Sequence, residues 1–413
     1  MSGDGTALPA DWAVLPLDEV SSKIQDGTHF SPTLGGTEYR YITSRNIGVG
    51  RLRLDSVETI SEDEHRKIYV RCDVRLGDLL LTKDGANTGN AALNSFTDEI
   101  SLLSSVAFIR SNHRRSTEGY VLQYLLSSHG RKQIADAMAG NAITRLTLAK
   151  IKALAIPLPP VAEQRRISTV LRDADDLVAT LERVTAKKEA IKRGVMQQLL
   201  TGQTRLPGFS GPWSQLSAGD IGVFKGGSGF PVRYQGASSG QHPFFKVSDM
   251  NTPGNELFMR AARNYINEAQ RVGAVLIPMD AIVFAKVGAA VFLERKRILS
   301  QPSYIDNNMA AFAIEASKAD IRFAHYVLSN FRMGSLAATT AMPSINGGQL
   351  RSIPIALPAT LDEQRAISRV LTDLDGEIGA VRERLRKAQA IKQGMMQQLL
   401  TGRTRLAPAE AIA

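Results

Sequence analysis

The sequence is poor in the residues that build covalent or metal frameworks. Cys72 is the only cysteine in 413 residues, which excludes an intramolecular disulfide and any multi-cysteine zinc site. A lone thiol suits a reducing compartment, so a cytoplasmic protein is expected. The six histidines (29, 65, 113, 129, 242 and 325) have no paired spacing of the kind a metal site uses. Long apolar runs are also missing. The most apolar stretch, 272–293, is broken by Pro278, Asp280 and Lys286, and it reads as strands near a turn, not a membrane span. The N-terminus has no basic start followed by an apolar core, so no secretory leader is expected.

Catalytic signatures are absent as well. An Asn or Asp followed by Pro-Pro and an aromatic residue would mark an amino-methyltransferase, and Leu158-Pro159-Pro160-Val161 does not meet it. No glycine-rich loop ends in Gly-Lys-Ser/Thr, so nucleotide hydrolysis by this chain is not expected. Gly48-Val49-Gly50 is too short for a dinucleotide fingerprint and reads as a turn. No aspartate pair is followed by Glu-x-Lys, as a nuclease core would need. These absences point to a binding protein without a cofactor or metal of its own.

What is present is charge and repetition. Lys plus Arg number 50 against 40 Asp plus Glu, a formal charge of +10, which makes a polyanion the first partner to test. The excess is uneven. Residues 1–155 carry 18 basic and 18 acidic residues, whereas residues 207–360 carry 14 and 9. The length suggests two or three domains, and the 43% hydrophobic and 22% charged fractions are those of a globular chain.

Residues 163–206 and 363–406 align without a gap at an offset of 200, with 24 identities in 44 positions. Glu163-Gln164-Arg165 recurs as Glu363-Gln364-Arg365, and 196–202 recurs as 396–402. Upstream, Ile156–Pro160 and Ile355–Pro358 precede the two copies, and each half opens on a tryptophan, Trp12 and Trp213. The chain is a tandem duplication, with a diverged globular unit followed each time by a well-kept segment. The predicted segments are 1–155, 156–206, 207–360 and 361–413.

The kept segments read as long helices of about 36 residues, roughly 54 Å. In the second, Ile367, Leu371, Leu374, Ile378, Val381, Leu385, Ala388, Met395 and Leu399 alternate steps of three and four, with Lys392 as a polar break. In the first, Ile167, Val170, Ala174, Leu177, Leu181, Val184, Ile191 and Val195 form the expected seam, broken at Lys188. Pro160 and Pro358 precede the helices, and Gly202 and Gly402 cap them. Two matching stripes that must leave water favour mutual pairing over two separate amphipathic helices. The diverged units, with short apolar runs at 79–82 and 281–284 and helical stretches at 119–126 and 324–328, read as α+β domains.

This ordered, duplicated set resembles the specificity subunit of type I restriction–modification enzymes over essentially the whole chain. The residues that carry the resemblance are 156–160 with Glu163–Arg165, 194–206, and their partners at 353–365 and 394–406. The second copy departs from the first at 353–359, where it has an extra residue and lacks the double proline. The resemblance implies two globular target recognition domains alternating with two helices that pair as an antiparallel coiled coil, about a pseudo-two-fold axis. It implies a non-catalytic subunit on double-stranded DNA, each domain reading half of a bipartite target. Two methylation subunits and two restriction subunits are the implied partners, with S-adenosylmethionine, ATP and Mg²⁺ held by them. A coiled-coil adaptor holding two protein-binding domains, with DNA irrelevant, is the competing reading.

Base edges and phosphates are met by basic, amide, hydroxyl and acidic side chains. In the first domain the candidates are Thr28, His29, Ser44, Arg45, Asn46, Lys83, Asn87 and Arg145, all in polar turns beside strand-like runs. In the second they are Lys225, Ser228, Lys246, Ser248, Asp249, Lys286, Asn307, Asn308, Ser344 and Asn346. Lys83 and Lys286 follow equivalent strands and are the foremost candidates, for phosphate more than bases. Met196, Gln197, Gln198 and Leu199, with Met396, Gln397, Gln398 and Leu399, are the candidates for helix pairing or partner support.

Overall fold

The computed structural model describes residues 8–139, 145–270, 273–337 and 342–406. It forms two compact units, Met1–Arg183 with Arg382–Ala413, and Val184–Val381. The four sequence segments are therefore regrouped, with half of each long helix belonging to each unit.

The first unit runs β1 (Ala13–Pro16), β2 (Ser21–Asp26), β3 (Leu34–Ile42), β4 (Glu58–Ile60), α1 (Glu62–Tyr69), β5 (Leu79–Thr82), β6 (Ala91–Leu93), β7 (Ile100–Leu102), β8 (Val106–Ser111), α2 (Glu118–Leu126), α3 (Ser128–Met138), α4 (Leu148–Lys152) and β9 (Ala155–Leu158), and then enters α5 (Val161–Leu199). One sheet has the order β2-β8-β5-β6 and a second β4-β3-β7, while β1 pairs with β9. All four residues of β5 are buried because the strand lies between two cores. Leu79 and Leu81 face the core shared with α2 and the helix ends, and Leu80 faces the core between the sheets. That is why a short unbroken apolar run marks the strand.

The second unit repeats the plan with β10 (Trp213–Ser217), α6 (Ala218–Ile221), β11 (Gly222–Gly226), β12 (His242–Phe245), β13 (Phe258–Met259), β14 (Tyr265–Ile266), β15 (Ile282–Ala285), β16 (Lys296–Leu299), β17 (Tyr304–Ile305), β18 (Met309–Ile314), α7 (Ile321–Asn330), α8 (Gly347–Arg351), β19 (Pro354–Pro358) and α9 (Leu361–Leu399). Its sheets are β11-β18-β15-β16-β13, β14-β12-β17 and β10-β19. Ile282 and Phe284 again face one core and Val283 the other. The extra residue of the second copy lengthens its strand pair by one, to five residues against four.

Both long helices have 39 residues, about 58 Å. Within each unit an α5 segment packs antiparallel on an α9 segment. In the first unit Glu163 meets Arg405 and Asp175 meets Lys392. In the second, Glu363 meets Arg205, and Asp375 and Glu377 meet Lys192 and Lys188 at 2.5 Å each. The α9 seam holds as expected, with its nine apolar positions all buried or half-buried. The α5 seam is corrected. Leu177, Val184 and Ile191 are 49%, 36% and 46% exposed, and the covered line passes instead through Ala174, Val178, Leu181, Thr185, Lys188 and Lys192. The lysines stay in the seam because α9 supplies carboxylates to them, while three larger apolar residues lie one step to its side.

The Glu and Gln of the repeated Glu-Gln-Arg motif, with the Arg of the repeated Thr-Arg-Leu, tie helix to domain. Arg205 binds Glu363 through two bonds of 2.6 and 2.7 Å, and Arg405 binds Glu163 through two of 2.6 Å. Both glutamates are 2% exposed. Arg405 also reaches Asp11, and that hydrogen bond holds the Asp11 carboxyl below the usual carboxylate range. Gln164 accepts from the N–H of Thr117, the residue just before α2, and Gln364 accepts from that of Asp320, whose side chain caps α7. Each arginine lies over the tryptophan that opens its unit, Trp213 or Trp12, at 5.8 Å. Gly202 and Gly402 turn the chain there with φ of 71° and 70°. A Cβ on Gly402 would come within 2.5 Å of Pro9.

Arg205→Ala leaves the Glu363 carboxylate buried without its partner. It is expected to lower the unfolding free energy by roughly 3 kcal/mol, the low end for a buried pair, since Arg205 keeps a quarter of its side chain in water. Urea unfolding with an unchanged slope is the check; a loss under 1 kcal/mol contradicts the role given to the pair.

Candidate nucleic-acid interface

In each unit the polar turns that follow the strands converge on one hairpin. In the first unit this is the turn 103–105 between β7 and β8. Thr28 N–H donates to Leu102 O, Leu103 N–H to Ile42 O, Lys83 N–H to Ser105 O and Leu146 N–H to Lys83 O, all at 2.8–3.0 Å. Ser44 N–H reaches Ser105 Oγ at 3.3 Å, and Asn87 donates to Ser44 O at 3.5 Å. Gly27 lies so close to this turn that a Cβ would be 2.0 Å from Leu102 O, which fixes glycine there. The structure thus brings Thr28, His29, Ser44, Arg45, Lys83, Asn87 and Arg145 to one edge of the domain.

These candidates differ in freedom. His29, Arg45 and Arg145 are exposed, and Ser44 and Asn87 are half-buried. Thr28 is buried and its hydroxyl accepts from Phe30 N–H. Lys83 is buried, with its ammonium 3.0 Å from the buried carboxylate of Asp26. Asn46 is buried and fully used: its oxygen accepts from Thr43, and its amide donates to Arg53 O and Ser56 O. A cleft of about 380 Å³ opens beside the loop, lined by residues that include Thr28, His29, Phe30, Arg71 and Cys72. Burial pushes the Cys72 thiol up to about 12, so it is unreactive at neutral pH.

The second unit uses the turn 306–308. Ser228 N–H donates to Ile305 O, Asp306 N–H to Phe245 O, Lys286 N–H to Asn308 O and Ile345 N–H to Lys286 O, at 2.8–3.0 Å. A Cβ on Gly227 would be 1.9 Å from Asp306 O, as for Gly27. Ser248, Asn307, Asn308, Ser344 and Asn346 are exposed, and Lys225, Ser228, Lys246 and Lys286 are half-buried. Lys246 donates to Gln235 at 2.8 Å and lies 5.5 Å above the Phe230 ring. Asp249 is fully buried and caps its own turn by accepting from Lys246 N–H at 2.7 Å. Burial raises the Asp306 carboxyl above the usual range. Asn346 caps α8 through its side chain.

Of the helix candidates, Met196 and Leu199 pack into the core of the second unit, and Met396 and Leu399 into that of the first. Gln197, Gln198, Gln397 and Gln398 are exposed. The glutamates, glutamines and arginines of the two clamps were visible as a motif, but their role was not legible until the contacts were. Among the described residues no group of three His, Cys, Asp or Glu is placed to hold a metal ion, and no helix is long and apolar enough to cross a membrane.

A model of the type I restriction modification DNA specificity domain matches residues 9–193 and again 211–389, one match per repeat. The chain belongs to the type I restriction–modification specificity family. This specificity subunit is similar to the putative type I restriction enzyme MjaX specificity subunit of Methanocaldococcus jannaschii, 23% identical over 423 residues, covering 97% of this chain and 95% of the relative. The MjaVIII specificity subunit of the same organism is 22% identical over 354 residues, covering 81% and 80%. Its fold is like that of the type I S subunit from M. genitalium, with a TM-score of 0.60 at 14% identity over 95% of this chain and 98% of the other. A chain solved in work on complex assembly and conformational transition of the type I R-M system gives 0.58 at 19%, over 97% and 100%. The specificity subunit is a DNA sequence-recognition component with two target recognition domains, and the two convergent loop edges are where its candidate reading residues lie.

Two substitutions separate framework from reading on these edges. Asn46→Ala strands a buried N–H and two carbonyl groups and is expected to destabilise the fold by about 2 kcal/mol. Arg45→Ala is expected to leave the melting temperature unchanged and to weaken DNA binding. Thermal melts with binding titrations of both variants check this; an unstable Arg45→Ala or a fully stable Asn46→Ala contradicts the assignment.

Proposed function

We propose that this specificity subunit is non-catalytic and reads a two-part DNA target, one part through each loop edge, while the paired helices set the unread gap. The observation that carries the reading is a contrast within one duplication. Four ionic residues that tie the helices together recur at an offset of 200 (Glu163, Asp175, Lys192 and Arg205 with Glu363, Asp375, Lys392 and Arg405), while the loop residues built on the same backbone plan differ. A frame that meets like partners twice keeps its residues; readers that meet different bases do not.

The partners follow from the same reading. Two methylation subunits carrying S-adenosylmethionine dock on this chain in the cytoplasm, and two restriction subunits using ATP and Mg²⁺ join for cleavage. Support for docking on the helices comes from the exposed apolar side chains Leu177, Val184, Ile191 and Ile391 and from the outward glutamines 197, 198, 397 and 398. Uncovered apolar residues on otherwise polar helices, Leu177 and Ile391 in one unit and Val184 and Ile191 in the other, mark surfaces for interaction.

The test is a gel shift of the assembled complex on its target at several salt concentrations. Binding is expected to weaken steeply as salt rises, as counterion release requires; salt-independent binding, or none, contradicts the reading. Replacing Gln197 and Gln397 with Glu is expected to reduce co-purification of the methylation subunits and to leave the modified DNA sequence unchanged. A changed sequence at modified sites contradicts the division between frame and readers.

A further inference from the structure

The two recognition domains place a lysine at the same point of the same sheet and treat it differently. In the first, Asp26 of β2 pairs with Ala107, which pairs with Leu81, and Lys83 follows two residues on. In the second, Gly226 of β11 pairs with Ala310, which pairs with Phe284, and Lys286 follows two residues on. The backbone bonds around both lysines also match: Lys83 N–H to Ser105 O and Leu146 N–H to Lys83 O, against Lys286 N–H to Asn308 O and Ile345 N–H to Lys286 O. At the facing position stands an aspartate in one and a glycine in the other.

That difference decides what each ammonium can do. Lys83 and Asp26 have side chains 4% and 7% exposed and lie 3.0 Å apart. Drawing Lys83 out to a phosphate would take the buried cation away from the Asp26 carboxylate and leave it the exposed His29 ring, 3.3 Å away, as its ion-pair partner, which is unfavourable. Gly226 offers no carboxylate. Its ideal Cβ position is 3.2 Å from Lys286 Nζ, so this ammonium occupies the place an aspartate would face. Lys286 has no hydrogen-bond or ion-pair partner among the described residues. The nearby Asp306 carboxylate is turned to its own loop, accepting from Asn308 N–H at 2.9 Å. Beside Lys286 stand exposed Asn308 and Ser344, which are phosphate-compatible neighbours.

We infer that the two readers grip the DNA backbone unequally: Lys286 of the second domain is a free phosphate-binding cation, whereas Lys83 of the first is silenced by Asp26 and serves as an internal ion pair. The inference rests on the DNA-reading function proposed above. It runs in the same direction as the uneven charge, 18 basic against 18 acidic residues in 1–155 and 14 against 9 in 207–360, of which the aspartate facing Lys83 supplies one unit. The first domain contributes less to ionic binding, and the second supplies more of the salt-sensitive hold.

The experiment is the slope of log affinity against log salt for the full chain, co-purified with its methylation subunits, on a duplex carrying its target. Each DNA phosphate that the protein ceases to neutralise removes about 0.9 from the slope. Lys286→Ala is expected to reduce the slope by about one. Gly226→Asp is expected to do the same by installing the missing carboxylate, and the backbone of Gly226 lies outside the left-handed region, so a side chain is compatible with it. The paired change Asp26→Asn with Lys83→Gln, which leaves no lone buried charge, is expected to keep the wild-type slope. An unchanged slope for Lys286→Ala or for Gly226→Asp overturns the inference, as does a reduced slope for the Asp26/Lys83 pair. Should the paired change fail to fold by circular dichroism, the two changes in the second domain decide. A wild-type complex with no salt-dependent binding overturns the DNA-reading function itself, which keeps the two failures distinct.

Discussion

The buried bond between a glutamate at the start of one long helix and an arginine just past the end of the other is what the rest of the chain depends on. Glu163 is held by Arg405, and Glu363 by Arg205. Each bond joins one copy of the repeat to the other, so neither copy completes a recognition domain with its own residues. Both carboxylates are buried, and a buried carboxylate without its cation is strongly unfavourable. The adjacent glutamines extend the constraint by accepting from the N–H of the residue that precedes the first helix after the sheet, α2 or α7. Lys392 with Asp175 and Lys192 with Asp375 repeat it along the seam. Asp175 and Asp375 in turn accept from Gln123 and Tyr326 of the two domains. The recurrence of these ionic residues in the two helical segments follows from this mutual use.

Freed from that duty, the loop edges diverge. Gly27 and Gly227 are fixed by the close approach of the opposing turn, but the residue just before each is free to be aspartate or glycine. One side chain at that point changes the ionic character of a whole edge. The net charge of the chain therefore says less about DNA binding than the placement of individual cations does.

Much of the fold was legible in the sequence. The duplication, the helix ends at Gly202 and Gly402, and the doubly buried strands at 79–82 and 282–285 all carry local signals. The α9 seam was legible because its covered positions are apolar almost throughout. The α5 seam was not, because its covered positions include Thr185, Lys188 and Lys192, and the more apolar Leu177, Val184 and Ile191 drew the stripe sideways. Transferring the α9 positions by the offset of 200 would have found the correct line. In the candidate site, the placing of candidates in polar turns beside strands was legible, but the convergence of those turns on one hairpin was not, because it is made by long-range backbone bonds. The inward roles of Thr28, Asn46, Lys83 and Asp249 were not, because a partner such as Asp26 or Ser56 is chosen by the tertiary fold and leaves no mark on local composition.

In the function proposed for this chain, two recognition edges on one frame read two separate parts of a DNA target. Mapping methylated bases across the DNA of cells with and without this chain tests it most directly. The expected result is a motif of two specified parts with an unspecified gap, modified only when the chain is present. Modification that persists without the chain, or a single undivided motif, would contradict it.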